Sequence, residues 1–154
     1  MKKSFRGKLA SGAQDTIRLS TNNGLTGYNI AKFQILPNEW GAATQEVSVQ
    51  VFTTELTDAG AVRTPSNVID FRDPTLLAVA CQTYNLSANT AGDTPVVVFD
   101  NMTFNQDIFV LAFDADGNAV NYYLELEQVK LNANEATVAT LKDMRAGPDT
   151  NFGP

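Results

Sequence analysis

Short stretches in which every second residue is apolar recur along the chain. In residues 46–51, Val47, Val49 and Val51 alternate with polar residues. A period of two predicts a β-strand with one buried face and one face in water. Residues 16–20 show the same alternation. The dominant local signal is therefore strand.

The alternation changes phase at two places. Between Ile30 and Phe33 the apolar positions shift by one residue, which predicts a β-bulge or bend near Ala31. A similar shift follows Leu126 and predicts a second irregularity near Gln128. Both stretches are interpreted as single strands that contain an irregularity.

Three continuous apolar runs lie at residues 76–81, 96–99 and 108–113. Runs of this length are typical of strands covered on both faces. The Asp-Ala-Asp-Gly-Asn segment at 114–118 follows the third run and predicts a tight hairpin to the next strand.

About eight or nine short strands separated by turns predict an all-β, single-domain β-sandwich of jelly-roll-like form. We place the domain at residues 1–147 and a polar tail at residues 148–154.

One short C-terminal helix is predicted near the end of the chain. Asn134 is the expected cap, with Glu135 in the first turn and a stop at residues 147–148. A final strand is the alternative, because several residues there are β-branched. The helical interpretation puts three residues on one face: Val138, Leu141 and Met144.

Charge is distributed unevenly along the 154 residues. The chain has 11 basic and 17 acidic residues, a net charge of −6, and four of the basic residues fall within the first eight positions. The remainder carries seven basic and 17 acidic residues, a net charge of −10, which argues against nucleic-acid binding. The basic start favours either contact with an acidic protein surface or protection of an exposed edge strand. The four residues are Lys2, Lys3, Arg6 and Lys8.

The residue inventory argues against catalysis. Histidine is absent and Cys81 is the one cysteine, which excludes histidine-based triads, histidine-ligated metals and internal disulfides. Glu125 and Glu127 lie two apart on a predicted strand and are expected to face water, which disfavours glycoside hydrolysis. We expect a protein that is not an enzyme and has no cofactor.

A partial calcium-loop pattern begins at Asp114. Asp116, Asn118 and Glu125 fall at further ligand positions, but the required glycine is replaced by Ala119. A hairpin tip explains these residues without a metal.

Two loop features favour a different class of protein. Trp40 lies in a predicted loop, where it could stack on a sugar or anchor a protein partner, or pack over the end of the sandwich. Residues 85–95 form the longest polar connection. These features make a carbohydrate- or surface-binding module, such as that of a tail or fibre, the alternative function.

No apolar stretch is long enough for a signal-peptide core or a membrane span. The sequence therefore predicts that the protein is made in the cytoplasm and does not associate with a membrane.

Two parts of the chain resemble small virion structural proteins of marine tailed bacteriophages. The first comprises residues 6–14 and 26–37, with Arg-Gly-Lys-Leu-Ala-Ser-Gly-Ala-Gln leading to Thr-Gly-Tyr-Asn-Ile-Ala-Lys-Phe-Gln-Ile-Leu-Pro. The second comprises residues 122–131 and 134–145, with Tyr-Tyr-Leu-Glu-Leu-Glu-Gln-Val-Lys-Leu leading to Asn-Glu-Ala-Thr-Val-Ala-Thr-Leu-Lys-Asp-Met-Arg.

The resemblance implies a non-enzymatic capsid decoration or cement protein, or a tail or fibre component. It also implies assembly into the virion in the host cytoplasm, the major capsid protein or another virion protein as partner, and a homo-oligomer. No site motif comes with the resemblance. From the residues alone, the candidate partner-binding side chains are Lys2, Lys3, Arg6, Lys8 and Trp40.

Overall fold

The computed structural model describes residues 1–19, 25–39, 45–55, 57–58, 61–62, 64–84 and 96–145. In this part of the chain the elements are β1 (Lys2–Leu9), β2 (Gln14–Ile17), β3 (Thr26–Pro37), β4 (Gln45–Phe52), β5 (Thr57–Asp58), β6 (Ala61–Val62), β7 (Leu76–Tyr84), β8 (Val96–Phe99), β9 (Ile108–Asp114), β10 (Val120–Lys130) and the helix α1 (Ala133–Arg145).

Two antiparallel sheets form the body of the fold. One has three strands in the order β1-β10-β3, and the other has five in the order β2-β9-β4-β7-β8. Their inner faces share one apolar core, to which both sheets contribute alternate side chains. The predicted all-β, sandwich-like architecture is confirmed. Typical core residues are Ile35, Leu124, Val49, Val110 and Ala80.

The five-stranded sheet contains a Greek key. Apart from the small β5–β6 hairpin, β4, β7 and β8 are successive neighbours, and β9 returns to pair with the other edge of β4. The connection from β8 to β9 passes the three-stranded sheet, where Phe104 and Tyr28 exchange two main-chain hydrogen bonds of 2.8 and 3.0 Å. A jelly roll has two such motifs, and the jelly-roll part of the prediction is not confirmed.

The predicted irregularity at Ala31 is present. Glu125 of β10 pairs with Lys32, whereas the next residue, Leu126, pairs with Ile30, so Ala31 is the extra residue of a bulge. The bulge keeps the apolar residues on both sides of Ala31 directed into the core.

The second predicted irregularity is wrong. The pairing of β10 with β3 runs through Gln128 without a shift. Val129 changes the apolar phase because it packs against Leu131 and Ala139, in a small cluster under the helix. Two separate apolar clusters, one on each side of the strand, imitate a bulge in the sequence.

The predicted hairpin at residues 114–118 is also wrong, because β9 and β10 lie in different sheets. β9 is already paired on both edges by β2 and β4, and β10 by β1 and β3. Neither strand has a free edge for the other, so the turn connects the two sheets.

The polar face of β4 is covered, contrary to the alternation. Ser48 and Gln50 are 3% and 5% exposed. The connection at residues 64–75 lies against them: Ser48 Oγ donates a hydrogen bond to Asn67 Oδ1 at 2.6 Å, and Gln50 Nε2 donates to the carbonyl of Val68 at 3.3 Å. The connection thus supplies the hydrogen-bond partners of Ser48 and Gln50 that water was expected to supply.

The C-terminal helix is confirmed, but its predicted cap is wrong. Asn132 Oδ1 accepts a hydrogen bond from the Glu135 amide at 2.8 Å, and Glu135 Oε1 accepts one from the Asn132 amide at 3.2 Å. This reciprocal pair is a capping box, and Asn134 lies inside the helix. Val138, which the sequence placed on the apolar face of the helix, is 63% exposed, while Ala139 is buried. The side chains at 141 and 144, the boundary at 147 and the tail lie outside the described residues.

Candidate partner-binding surface

Strand β1 is an edge strand of the three-stranded sheet. It pairs with β10 from Lys2 opposite Glu127 to Leu9 opposite Val120, and with no other strand in the described ranges. Its exposure alternates strictly along its length. The exposed side chains belong to Lys2, Ser4, Arg6 and Lys8, so three of the predicted cations share the outer face of the sheet.

Lys3 is separated from the other three cations. It occupies an inward-facing position of β1 and is half-buried. Its ammonium lies 5.6 Å from the centroid of the buried Tyr28 ring, a cation–π arrangement. The structure therefore assigns Lys3 to the inner side of the strand.

Strands β10 and β3 extend the outer face. Asn121, Tyr123, Glu125 and Glu127 alternate with buried residues along β10. On β3, Lys32, Gln34 and Leu36 are exposed. We call the outer surface that carries Lys2, Arg6, Lys8 and Lys32 the basic face.

A tyrosine lies at the middle of the basic face. Arg6 pairs with Tyr123 across the strands, and the Lys32 ammonium lies 5.9 Å from the centroid of the Tyr123 ring on the other side. Lys32 was missed by the sequence reasoning, which grouped cations by their proximity along the chain. Its signal was the alternation of Lys32, Gln34 and Leu36 with apolar residues after the bulge.

The basic face differs in charge from the rest of the molecule. Its four cations and two glutamates give +2, which leaves seven basic and 15 acidic residues, a net charge of −8, for the remainder of the chain. Among the described residues, Arg72 and Asp70 form an ion pair with a nitrogen–oxygen distance below 4.0 Å. None of the four cations is held that closely by a carboxylate of the described residues.

A contact between the two sheets lies directly beneath β1. The Tyr122 hydroxyl on β10 donates a hydrogen bond of 2.9 Å to Asp15 Oδ2 on β2. Burial and the neighbouring Asp15 carboxylate raise the pKa of Tyr122 well above its usual range. Gly7 leaves room for this contact, because a Cβ there would lie 2.9 Å from both the Asp15 carboxylate and the Tyr122 hydroxyl.

Asp114 is engaged in a turn. Its carboxylate is buried and accepts hydrogen bonds from the amides of Glu46, Asp116 and Asn118 at 3.0, 3.1 and 3.0 Å. Gly117 has a φ of 80°, which favours glycine at this turn. Both carboxylate oxygens of Asp114, the first position of the partial calcium pattern, therefore have main-chain partners. Within the described ranges, no group of three potential ligands is placed to hold a metal ion.

The remaining candidates for chemistry lie apart from one another. Glu125 and Glu127 face outward on β10, as predicted, and lie opposite Lys32 of β3 and Lys2 of β1 respectively. Cys81 on β7 is half-buried, and burial raises the pKa of its thiol. The raised pKa favours the protonated, less nucleophilic form.

Trp40 and the loop at residues 85–95 lie outside the described residues, so the features behind the alternative function stay predictions.

The apolar strand β8 is exposed, contrary to the sequence prediction. It pairs with β7 on one edge. Val96, Val98 and Phe99 are 61%, 46% and 36% exposed, and Val97 packs against the core. The run at 96–99 is therefore an edge strand, whereas the runs in β7 and β9 form central strands.

In the part of the chain that the structure describes, no helix is long and apolar enough to span a membrane. No protein-family model, curated protein or solved structure matches the chain. The basic face and the sandwich-like all-β fold are therefore the two features from which function is inferred.

Proposed function

We propose that this chain is a non-enzymatic structural protein of a phage virion, a capsid decoration or cement protein that acts through protein–protein contacts. The observation that carries the proposal is the row of three cations, Lys2, Arg6 and Lys8, on one face of an edge strand in an otherwise acidic molecule.

The architecture suits a protein that acts by adhesion. A decoration protein needs a stable body and a surface complementary to the shell. Leu9 and Phe5 of β1 pack in the shared core, and the Tyr122–Asp15 contact joins the two sheets beneath the strand, so the cations lie on a well-supported strand. A backbone already held in a sheet loses less conformational entropy on binding than that of a mobile arm.

The resemblance of residues 6–14, 26–37, 122–131 and 134–145 to small phage virion proteins supports the same proposal. On this view the partner is the major capsid protein or another virion protein, the protein acts as a homo-oligomer on the particle, and its location is the virion. An acidic molecule with one basic face approaches an acidic shell face-first, because the charge distribution orients the encounter.

The test uses particles of the phage whose genome encodes the chain. We expect mass spectrometry of purified particles to detect the chain in a fixed ratio to the major capsid protein. Particles assembled without the chain should then bind the purified protein saturably. Absence from the particles together with no saturable binding would contradict the proposal.

A further inference from the structure

We infer that the basic face, and not the main-chain edge of β1 that no described strand pairs with, contacts the partner, and that the partner presents an acidic protein surface. The inference rests on the proposed function for the identity of the partner as a virion protein. It extends the binding surface to Lys32 and Tyr123 and removes Lys3 from it.

The position of Lys32 distinguishes the face from the edge. β1 and β3 lie on opposite sides of β10, so Lys32 is two strand spacings, roughly 10 Å, from β1. A strand added along the side of β1 that faces away from β10 would lie still farther from Lys32. A partner covering the outer face meets Arg6, Tyr123 and Lys32 together.

The two ends of the face differ in their charge balance. Near one end, Glu127 lies opposite Lys2, and Glu125 lies opposite Lys32. Toward the other end, Arg6 and Lys8 lie opposite the uncharged Tyr123 and Asn121. The excess positive charge is therefore concentrated around Arg6 and Lys8, where a partner's carboxylates would form the strongest contacts.

The composition of the face favours a protein over a nucleic acid. Tyrosine and arginine are enriched at protein–protein interfaces, and Leu36 adds an apolar side chain that is 56% exposed. The remainder of the chain, with a net charge of −8, would repel a phosphate backbone that extends beyond the face.

The experiment compares two variants with equal net charge. The face variant is Lys8→Glu/Lys32→Glu, with one change on each edge strand. The control variant is Arg18→Glu/Arg72→Glu, at two exposed cations outside the face. Each variant lowers the net charge from −6 by four units, to −10. Circular dichroism and thermal unfolding first establish that both fold.

Binding to particles assembled without the chain is then measured at two salt concentrations. We expect the face variant to bind at least about tenfold more weakly than the control variant, and Lys32→Glu alone to weaken binding too. Lys3→Gln should bind like the unaltered chain. Equal affinities for the two double variants, or no effect of Lys32→Glu, would overturn the inference.

A second arm separates failure of the inference from failure of the proposed function. The ¹⁵N-labelled chain is titrated with a decapeptide of glutamate and, separately, with a 12-base-pair DNA duplex. We expect the peptide to shift the amide resonances of β1, β10 and β3, and the face variant to lose these shifts. If particles are not bound but these shifts appear, the virion assignment fails and the acidic-partner surface stands.

Two outcomes would indicate a different kind of partner. Tighter binding of the duplex than of the peptide at equal salt would indicate a nucleic acid. An oligomer that the face variant dissociates in sedimentation equilibrium, and the control variant does not, would indicate a second copy of the chain. Either result contradicts an acidic surface of another virion protein as the occupant.

Discussion

The contact beneath β1 depends on the smallest side chain in the strand. At Gly7, an added methyl group would lie 2.9 Å from atoms of Asp15 and Tyr122, both of which belong to the connection between the sheets. The glycine is thus selected by a close approach of side chains and not by an unusual backbone angle.

We expect Gly7→Ala to lower the free energy of unfolding by about 1–3 kcal/mol, because overpacking displaces the ring or breaks its hydrogen bond. Urea unfolding measures the change. Ser4→Ala, on the exposed side of the same strand, is the matched control and should change stability by less than about 0.5 kcal/mol. Equal effects of the two substitutions would show that a methyl group at position 7 fits without displacing Asp15 or Tyr122.

The Tyr122–Asp15 contact predicts a dependence of stability on alkaline pH. Folding raises the pKa of Tyr122, so the folded state holds this proton more tightly than the unfolded state. The contribution is fully present below the ordinary tyrosine pKa of about 10 and is lost as pH rises above it, with a slope of at most about 1.4 kcal/mol per pH unit.

Tyr122→Phe removes this titration. We expect the stability of the unaltered chain to fall between pH 10 and pH 11.5 relative to that of the variant, as measured by urea unfolding at each pH. Tyr123→Phe is the control, since its hydroxyl lies on the outer face. Parallel pH profiles for the unaltered chain and Tyr122→Phe would argue against a buried, hydrogen-bonded phenol.

Among the elements, the helix shows how far local signals extend. Asparagine followed three residues later by glutamate is a capping signal, and the sequence has it at Asn132 and Glu135. A second asparagine, Asn134, lies directly before Glu135 and imitates a cap. The helix itself was predictable, whereas its first residue depends on where β10 ends.

We expect Asn132→Ala to lower the free energy of unfolding by about 1 kcal/mol, because the Glu135 amide loses its acceptor. Asn134→Ala, at an exposed position inside the helix, should have little effect or stabilise the helix slightly. Thermal unfolding followed at 222 nm compares the two. A larger loss of stability for Asn134→Ala than for Asn132→Ala would indicate that Asn134 caps the helix, as the sequence suggested.

At the scale of the whole molecule, the sheet edges differ in their protection against association. β1 carries cations on its outer face. The edge of β3 is paired at Tyr28 with Phe104 through an isolated antiparallel bridge. β8 has no charged residue and exposes Val96 and Val98. An unprotected apolar edge strand promotes pairing with other chains.

We expect Val98→Lys to slow aggregation several-fold at high salt, where the repulsion between molecules of net charge −6 is screened. Light scattering during heating measures the rate. Val68→Lys, at a site that is 75% exposed but outside the sheet edges, is the matched control and should aggregate like the unaltered chain. The same slowing in both variants would mean that added charge, and not the β8 edge, is responsible.

The basic face likewise belongs to the whole molecule. The sequence indicated the cations of β1 because they are neighbours in the chain. It did not indicate Lys32, which reaches the same surface only because β10 pairs with β1 on one edge and β3 on the other. Nor did it indicate that Lys3 is separated from the others by the alternation of the strand.

The sequence by itself determined the local structure: the strands, the bulge at Ala31, the C-terminal helix and the absence of histidine chemistry. These follow from periodicity and residue type, which act over a few residues. Only the tertiary structure decided that 114–118 joins two sheets, that Ser48 and Gln50 are covered, that 96–99 is an exposed edge, and which cations share a face. Each of these depends on which strand edges and faces are already occupied, and that competition is settled by contacts between residues far apart in the chain.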